Sequence, residues 1–323
     1  MEKETLQTSC YLSLIAAFLL LCHPEPVVSQ QAPDTTFRFA IRQTAYEPGQ
    51  GPLILIDGAH NNFHTKPGGF FAFCKLMEED GYRTDGLTGP LTNAGVLKGC
   101  RILVIANALD PVNAESWTLP TPSAFTPEEI TVLRQWVKDG GSLFLIADHM
   151  PFAGAASDLA AAFGFGFLNG FAITGEQSWP PTCFSRANNT LLSSPPVDGM
   201  QADETIDSVA TFTGSAFAIP AGAAGILRFE EGKSLQPDTA WKFNDKTPAV
   251  DLKGYFQGAI LEYGKGRIAV FGEAAMFTAQ VVNGTFKVGF NSETAPQNAR
   301  FALNLIHWLD QRGRRAGSVP DPD

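Results

Sequence analysis

The residues Leu143-Phe-Leu-Ile-Ala147 form a continuous apolar run, preceded by Gly140-Gly141 and ended abruptly by Asp148-His149. A short apolar run bounded in this way reads as a β-strand buried on both faces. Such a strand needs cover on either side, which points to a layered α/β architecture. Pro52–Asp57, Arg101–Asn107 and Arg267–Gly272 have the same character, and Tyr82–Asp85 reads as a further short strand.

Between these runs the spacing is helical. Phe70, Phe73, Cys74 and Met77 recur at intervals of three and four, and Gly81 closes the pattern. Thr126-Pro127-Glu128-Glu129 has the features of a helix start: an N-cap threonine, proline at the first position and acids at the positive end. Ile130, Leu133, Trp136 and Val137 form that helix's core face, while Ala153–Phe163 and Pro296–Asp310 read as two more helices. Strands alternating with helices predict a mainly parallel sheet with helices on both faces.

The rhythm changes between about residues 171 and 251, where proline and asparagine loop signals interrupt short β-like segments. This predicts an antiparallel β insertion extending the sheet, rather than a second domain. Gly258–Tyr263 and Arg267–Gly272, joined through Gly264-Lys-Gly266, predict a hairpin. The expected organisation is a polar lead-in over 30–51, one α/β domain over 52–310 and a flexible tail over 311–323.

Tyr11–Cys22 is apolar but shorter than a bilayer span, and Val27-Val-Ser29 offers a small-residue cleavage site. A signal peptide over 1–29 and an exported protein, periplasmic or extracellular, are expected. An uncleaved anchor is the alternative and would be the chain's route to a membrane. Cys74, Cys100 and Cys183 lack Cys-x-x-Cys spacing, so neither a disulfide framework nor a zinc cage is expected. The net charge of -10 argues against a nucleic-acid partner.

In a parallel sheet, the polar residues that follow each strand gather at one edge, where open α/β sheets place their ligands. Asp57 and His60 follow the first strand, Asn107 the third, Asp148 and His149 the fourth, and Glu273 the late one. Imidazole and carboxylate together suit acid–base chemistry. The candidate catalytic residues are therefore His149, Asp148, His60 and Glu273. Asp57, Asn61, Asn107 and Gln280 are the candidates for substrate binding.

Each of these residues also has a plainer role open to it. Asp148 can serve as a turn former, and Glu273 can hold a nearby backbone loop. His64 reads as a surface residue and His307 as a hydrogen-bonded packing residue. No cofactor is expected, the alternative being a divalent metal at the His60/His149 edge. The Gly-x-Ser-x-Gly elbow, the phosphate-binding loop and His-Glu-x-x-His are absent.

Ile56-Asp-Gly-Ala-His-Asn-Asn62, Leu145-Ile-Ala-Asp-His-Met-Pro-Phe152, Phe271-Gly-Glu-Ala-Ala275 and Gln297-Asn-Ala-Arg-Phe-Ala-Leu-Asn304 resemble an uncharacterised group of exported bacterial proteins. That group looks like a branch of the class I glutamine amidotransferase-like superfamily, which also holds trehalose-utilisation-type proteins. The resemblance implies a flavodoxin-like sheet with helices on both sides. Its nucleophile elbow would fall at Ala147-Asp148-His149, which has no cysteine, so a cysteine-dependent glutaminase is not expected. The expectation is a hydrolase acting on a small polar or carbohydrate-derived molecule. The competing reading is a non-catalytic module that binds a ligand or a protein.

Overall fold

The computed structural model describes residues 31–175 and 181–312. The apolar N-terminal segment, the export reading built on it, and the tail from 313 lie outside the described residues.

The apolar runs become strands of one nine-stranded sheet. Its members are β1 (Leu53–Asp57), β2 (Arg83–Leu87), β3 (Cys100–Ala106), β4 (Ser142–Ile146), β5 (Gly166–Leu168), β6 (Ala216–Ala218), β7 (Ala224–Arg228), β8 (Phe256–Tyr263) and β9 (Gly266–Phe271). The order is β2-β1-β3-β4-β9-β8-β6-β5, with β7 also paired to β8. Strands β2, β1, β3, β4 and β9 run parallel. From the β9–β8 hairpin outward, pairing is antiparallel. The sheet is thus mixed, with a parallel half that carries the strand ends of interest.

Four helices cover it: α1 (Phe71–Glu79), α2 (Pro127–Lys138), α3 (Phe152–Ala161) and α4 (Asn298–Leu309). Successive strand residues point to opposite faces, and the core divides accordingly. Ile102, Val104, Phe144 and Ile146 pack with Phe73 of α1 and Phe301 of α4. Leu103, Ile105, Leu143 and Leu145 pack with Leu133 of α2 and Leu159 of α3. Leu143 to Ala147 are all completely buried, and burying each large side chain stabilises by roughly 1.5–3 kcal/mol. The start of α2 is a capping box: Thr126 Oγ1 accepts from the Glu129 N–H, and the Glu129 carboxylate accepts from the Thr126 N–H.

The insertion only partly extends the sheet. β6 and β7 join it, whereas Phe171–Ile173, Lys233–Leu235 and Ala249–Asp251 form a separate three-stranded sheet. Thr182–Ser185 pairs with Ser208–Thr211 as a two-stranded sheet. The lead-in is more than a polar linker. Gln31–Pro33 adds a strand to the Ala279–Val282 and Phe286–Gly289 pair, and Phe37, Phe39 and Ile41 pack against the core. Segments from these satellite sheets and their loops help to wall a cavity over the carboxyl ends of β3 and β4.

Candidate functional site

The cavity has a volume of about 460 Å³, and Asn107, Asp148 and His149 line it at the strand ends. Asn107 ends β3 in the left-handed region (φ 53°). Its Oδ1 accepts from the Asp148 N–H at 2.9 Å, tying the ends of β3 and β4 together. Asp148 Oδ1 accepts from the His149 N–H at 2.8 Å and from Thr213 Oγ1 at 3.3 Å. Its Oδ2 has no hydrogen-bond partner among the described residues.

His149 is fixed by the carbonyl of the residue that follows it and by rings. Nδ1 lies 2.7 Å from the Met150 carbonyl oxygen, which can only accept, so Nδ1 carries the proton and Nε2 is the free acceptor. The imidazole stacks on Phe171 with 4.3 Å between centroids. The centroids of the Trp241 ring, set edge-on, and of the tilted Trp117 ring lie 4.8 Å and 5.8 Å from that of the imidazole. Burial lowers its pKa, against the opposing charge of Asp148 and the Met150 carbonyl. The ring is accordingly neutral, with Nε2 an acceptor.

Glu273 does not line the cavity. It is fully buried, and its carboxyl accepts from the backbone N–H groups of Ala275 (2.9 Å) and Met276 (2.7 Å). Burial, followed by the charge of Asp148, raises its pKa well above the usual carboxylate range, against the pull of those backbone donors. Glu273 thus holds the turn whose Ala275 forms part of the cavity wall. Gln280 does line the cavity, and its Nε2 donates to Thr278 Oγ1 at 2.7 Å.

His60, Asp57 and Asn61 are not among the residues that line this cavity. His60 Nδ1 lies 2.8 Å from Asp57 Oδ2, and Nε2 lies 3.1 Å from Glu129 Oε1. The ring packs against Phe125. It ties the loop after β1 to the start of α2, because the Glu129 that closes the capping box also faces that loop. Asn61 takes a left-handed backbone (φ 46°) and donates to the Leu109 carbonyl. Among the described residues, no three His, Cys, Asp or Glu side chains are grouped to hold a metal ion.

His64, read from sequence as a surface residue, is instead 4% exposed and lines the cavity. Burial takes its pKa down to about 4, against the charge of Asp148. The neighbouring Gly68-Gly69 carried a signal for this: a Cβ on Gly69 would stand 2.0 Å from His64 Nδ1. Trp117 and Trp241 were not singled out either. Trp241 is 50% exposed and has φ 65°, a conformation that costs a non-glycine residue roughly 1–3 kcal/mol. None of Cys74, Cys100 and Cys183 lines the cavity, and burial pushes the Cys74 and Cys100 thiols up to about 12.

No helix among the described residues is long and apolar enough to cross a membrane. No family model matches the chain, and no curated protein matches it. Solved structures do. One described as "mmIFT52 N-terminal domain" superposes with a TM-score of 0.56 at 14% identity, covering 83% of this chain and 100% of that one. The cytoplasmic protein STM1381 from Salmonella typhimurium aligns with a TM-score of 0.47 at 12% identity, over 80% of this chain and 98% of that one. A putative ThuA-like protein from Bacteroides uniformis aligns with a TM-score of 0.43 at 12% identity, over 82% and 94%. At these identities the likeness to the first is one of fold.

Proposed function

We propose that the cavity is the site of a hydrolase acting on a small polar or carbohydrate-derived molecule, carried on an exported chain. The observation that carries this is His149: a buried, neutral imidazole whose Nδ1 is committed to the Met150 carbonyl, leaving a basic Nε2 beside Asp148. In this reading, Nε2 takes a proton from an attacking water. The carboxylate of Asp148, which touches the His149 backbone N–H, steadies the imidazolium that forms. Glu273 and Asn107 are positioning residues, one holding the cavity wall and the other the Asp148 backbone. The parallel order β2-β1-β3-β4-β9 supports a flavodoxin-like, amidotransferase-like sheet with its ligand at the carboxyl edge. No cysteine serves as nucleophile in this scheme.

The competing reading is a non-catalytic binding module. It is favoured by the side chains of the wall: among the described residues that line it, Thr213 alone carries a hydroxyl, and that hydroxyl is engaged with Asp148. Turnover of a panel of 4-nitrophenyl glycosides and esters separates the two. General-base catalysis predicts that His149→Ala lowers kcat by about 10²–10⁴-fold with KM little changed. Full turnover in that variant refutes the assigned role. Ligand binding without turnover across the panel favours the binding module.

A further inference from the structure

Several hydrogen-bond acceptors of this cavity are left open among the described residues. Thr278 Oγ1 donates its single proton to the Ala275 carbonyl, so its contact with Gln280 must be an N–H from Gln280 Nε2. That fixes the amide orientation and leaves Gln280 Oε1 without a hydrogen-bond partner among the described residues. The same logic at His149 leaves Nε2 as an acceptor, and Asp148 Oδ2 is a third. Donors also line the cavity, among them Asn107 Nδ2, freed because Asn107 Oδ1 accepts from Asp148, and the side chains of His64, Trp117 and Trp241, but none of these groups brings a positive charge.

Charge is uneven. Asp148 is 6% exposed, and no lysine or arginine among the described residues lines the cavity. A buried carboxylate without a cation is costly. The two histidines that could supply the charge resist it, since burial lowers both of their pKa values. The indoles of Trp117 and Trp241 add faces that attract cations.

We propose that the molecule bound here carries a protonated amine, whose N–H groups meet the acceptors of Asp148 and Gln280 between Trp117 and Trp241. This rests on the reading of the cavity as a small-molecule site and narrows it to one ligand chemistry. The ammonium supplies the positive charge that Asp148 lacks, and its N–H groups meet acceptors that the protein leaves open. A neutral polyol of the same shape would leave the charge unbalanced.

Shape-matched pairs test this by isothermal titration calorimetry at slightly acid pH, with glucosamine against glucose and cyclohexylamine against cyclohexanol. The amine of each pair is expected to bind at least about tenfold tighter, the size of effect that a charge-assisted hydrogen bond supports. Asp148→Asn should reduce that preference to under about threefold. Gln280→Met keeps the side-chain bulk, removes the Oε1 acceptor and should narrow it too, which provides a second readout if Asp148→Asn does not fold. Equal binding within both pairs overturns the amine assignment and leaves the small-molecule reading standing. A preference unchanged by either substitution also overturns it. No binding by any of the four compounds overturns both readings.

Discussion

Replacing His60 with alanine separates the two roles that its place after β1 allows. The ring lies between two buried carboxylates, 2.8 Å from Asp57 Oδ2 and 3.1 Å from Glu129 Oε1. Removing one member of a buried charged set costs about 3–5 kcal/mol, because the partner is left uncompensated. Both carboxylates keep other donors: Asn62 and Ala59 on Asp57, and Thr126 and Leu91 on Glu129. These place the expected loss near the lower bound, about 3 kcal/mol. With roughly 2–4 °C of Tm per kcal/mol, differential scanning fluorimetry should show a drop of about 6–12 °C, with ligand affinity unchanged. The loss should also depend on pH. Burial lowers the pKa of His60, but the hydrogen bonds and charges of Asp57 and Glu129 outweigh it and the net direction is up. A raised folded pKa stabilises fully below the unfolded value of about 6.5, and this contribution is lost as pH rises through the folded value. The gap between wild type and His60→Ala should therefore narrow toward alkaline pH. A Tm within about 2 °C of wild type, together with weakened ligand binding, would refute the structural role and return His60 to the site.

Two further substitutions probe the cavity wall. His64 has the opposite linkage. Burial holds its pKa at about 4, so the unfolded chain takes up a proton below about 6.5 while the folded chain does not. Stability falls as pH drops across that window, by about 3 kcal/mol from this group. Urea melts should show His64→Gln losing correspondingly less than wild type between neutral pH and about pH 4; equal acid sensitivity in the two proteins refutes a buried neutral ring. Gly69→Ala places a Cβ 2.0 Å from His64 Nδ1. Displacing the ring should cost about 1–3 kcal/mol of overpacking and alter affinity for any cavity ligand, and wild-type values for both would contradict that packing.

The parallel half of the fold was legible because its causes are local. An apolar run with turn residues at each end names its own strand, and Thr126-Pro127-Glu128-Glu129 names its own helix start. The antiparallel half was less so. β6 and β7 are short, and nothing in their sequence distinguishes pairing with β8 from pairing in a satellite sheet, which depends on partners distant along the chain. The same division runs through the site. Asp148, His149 and Asn107 were found because a strand's direction fixes where its last residue lies.

His60 obeys that rule equally and still leaves the cavity, because one further contact decides its place. Glu129 was read as an acid at a helix N-terminus, a role satisfied by the Thr126 N–H. Its second oxygen, however, also reaches His60 and draws that ring toward α2. His64, by contrast, is brought to the wall because glycine at 69 leaves room for an imidazole where any Cβ would collide with it. Strand ends therefore nominate candidates, and the packing of the loops beyond them decides which candidates face the ligand. Of two histidines four residues apart, the one outside the quoted motif reaches the cavity.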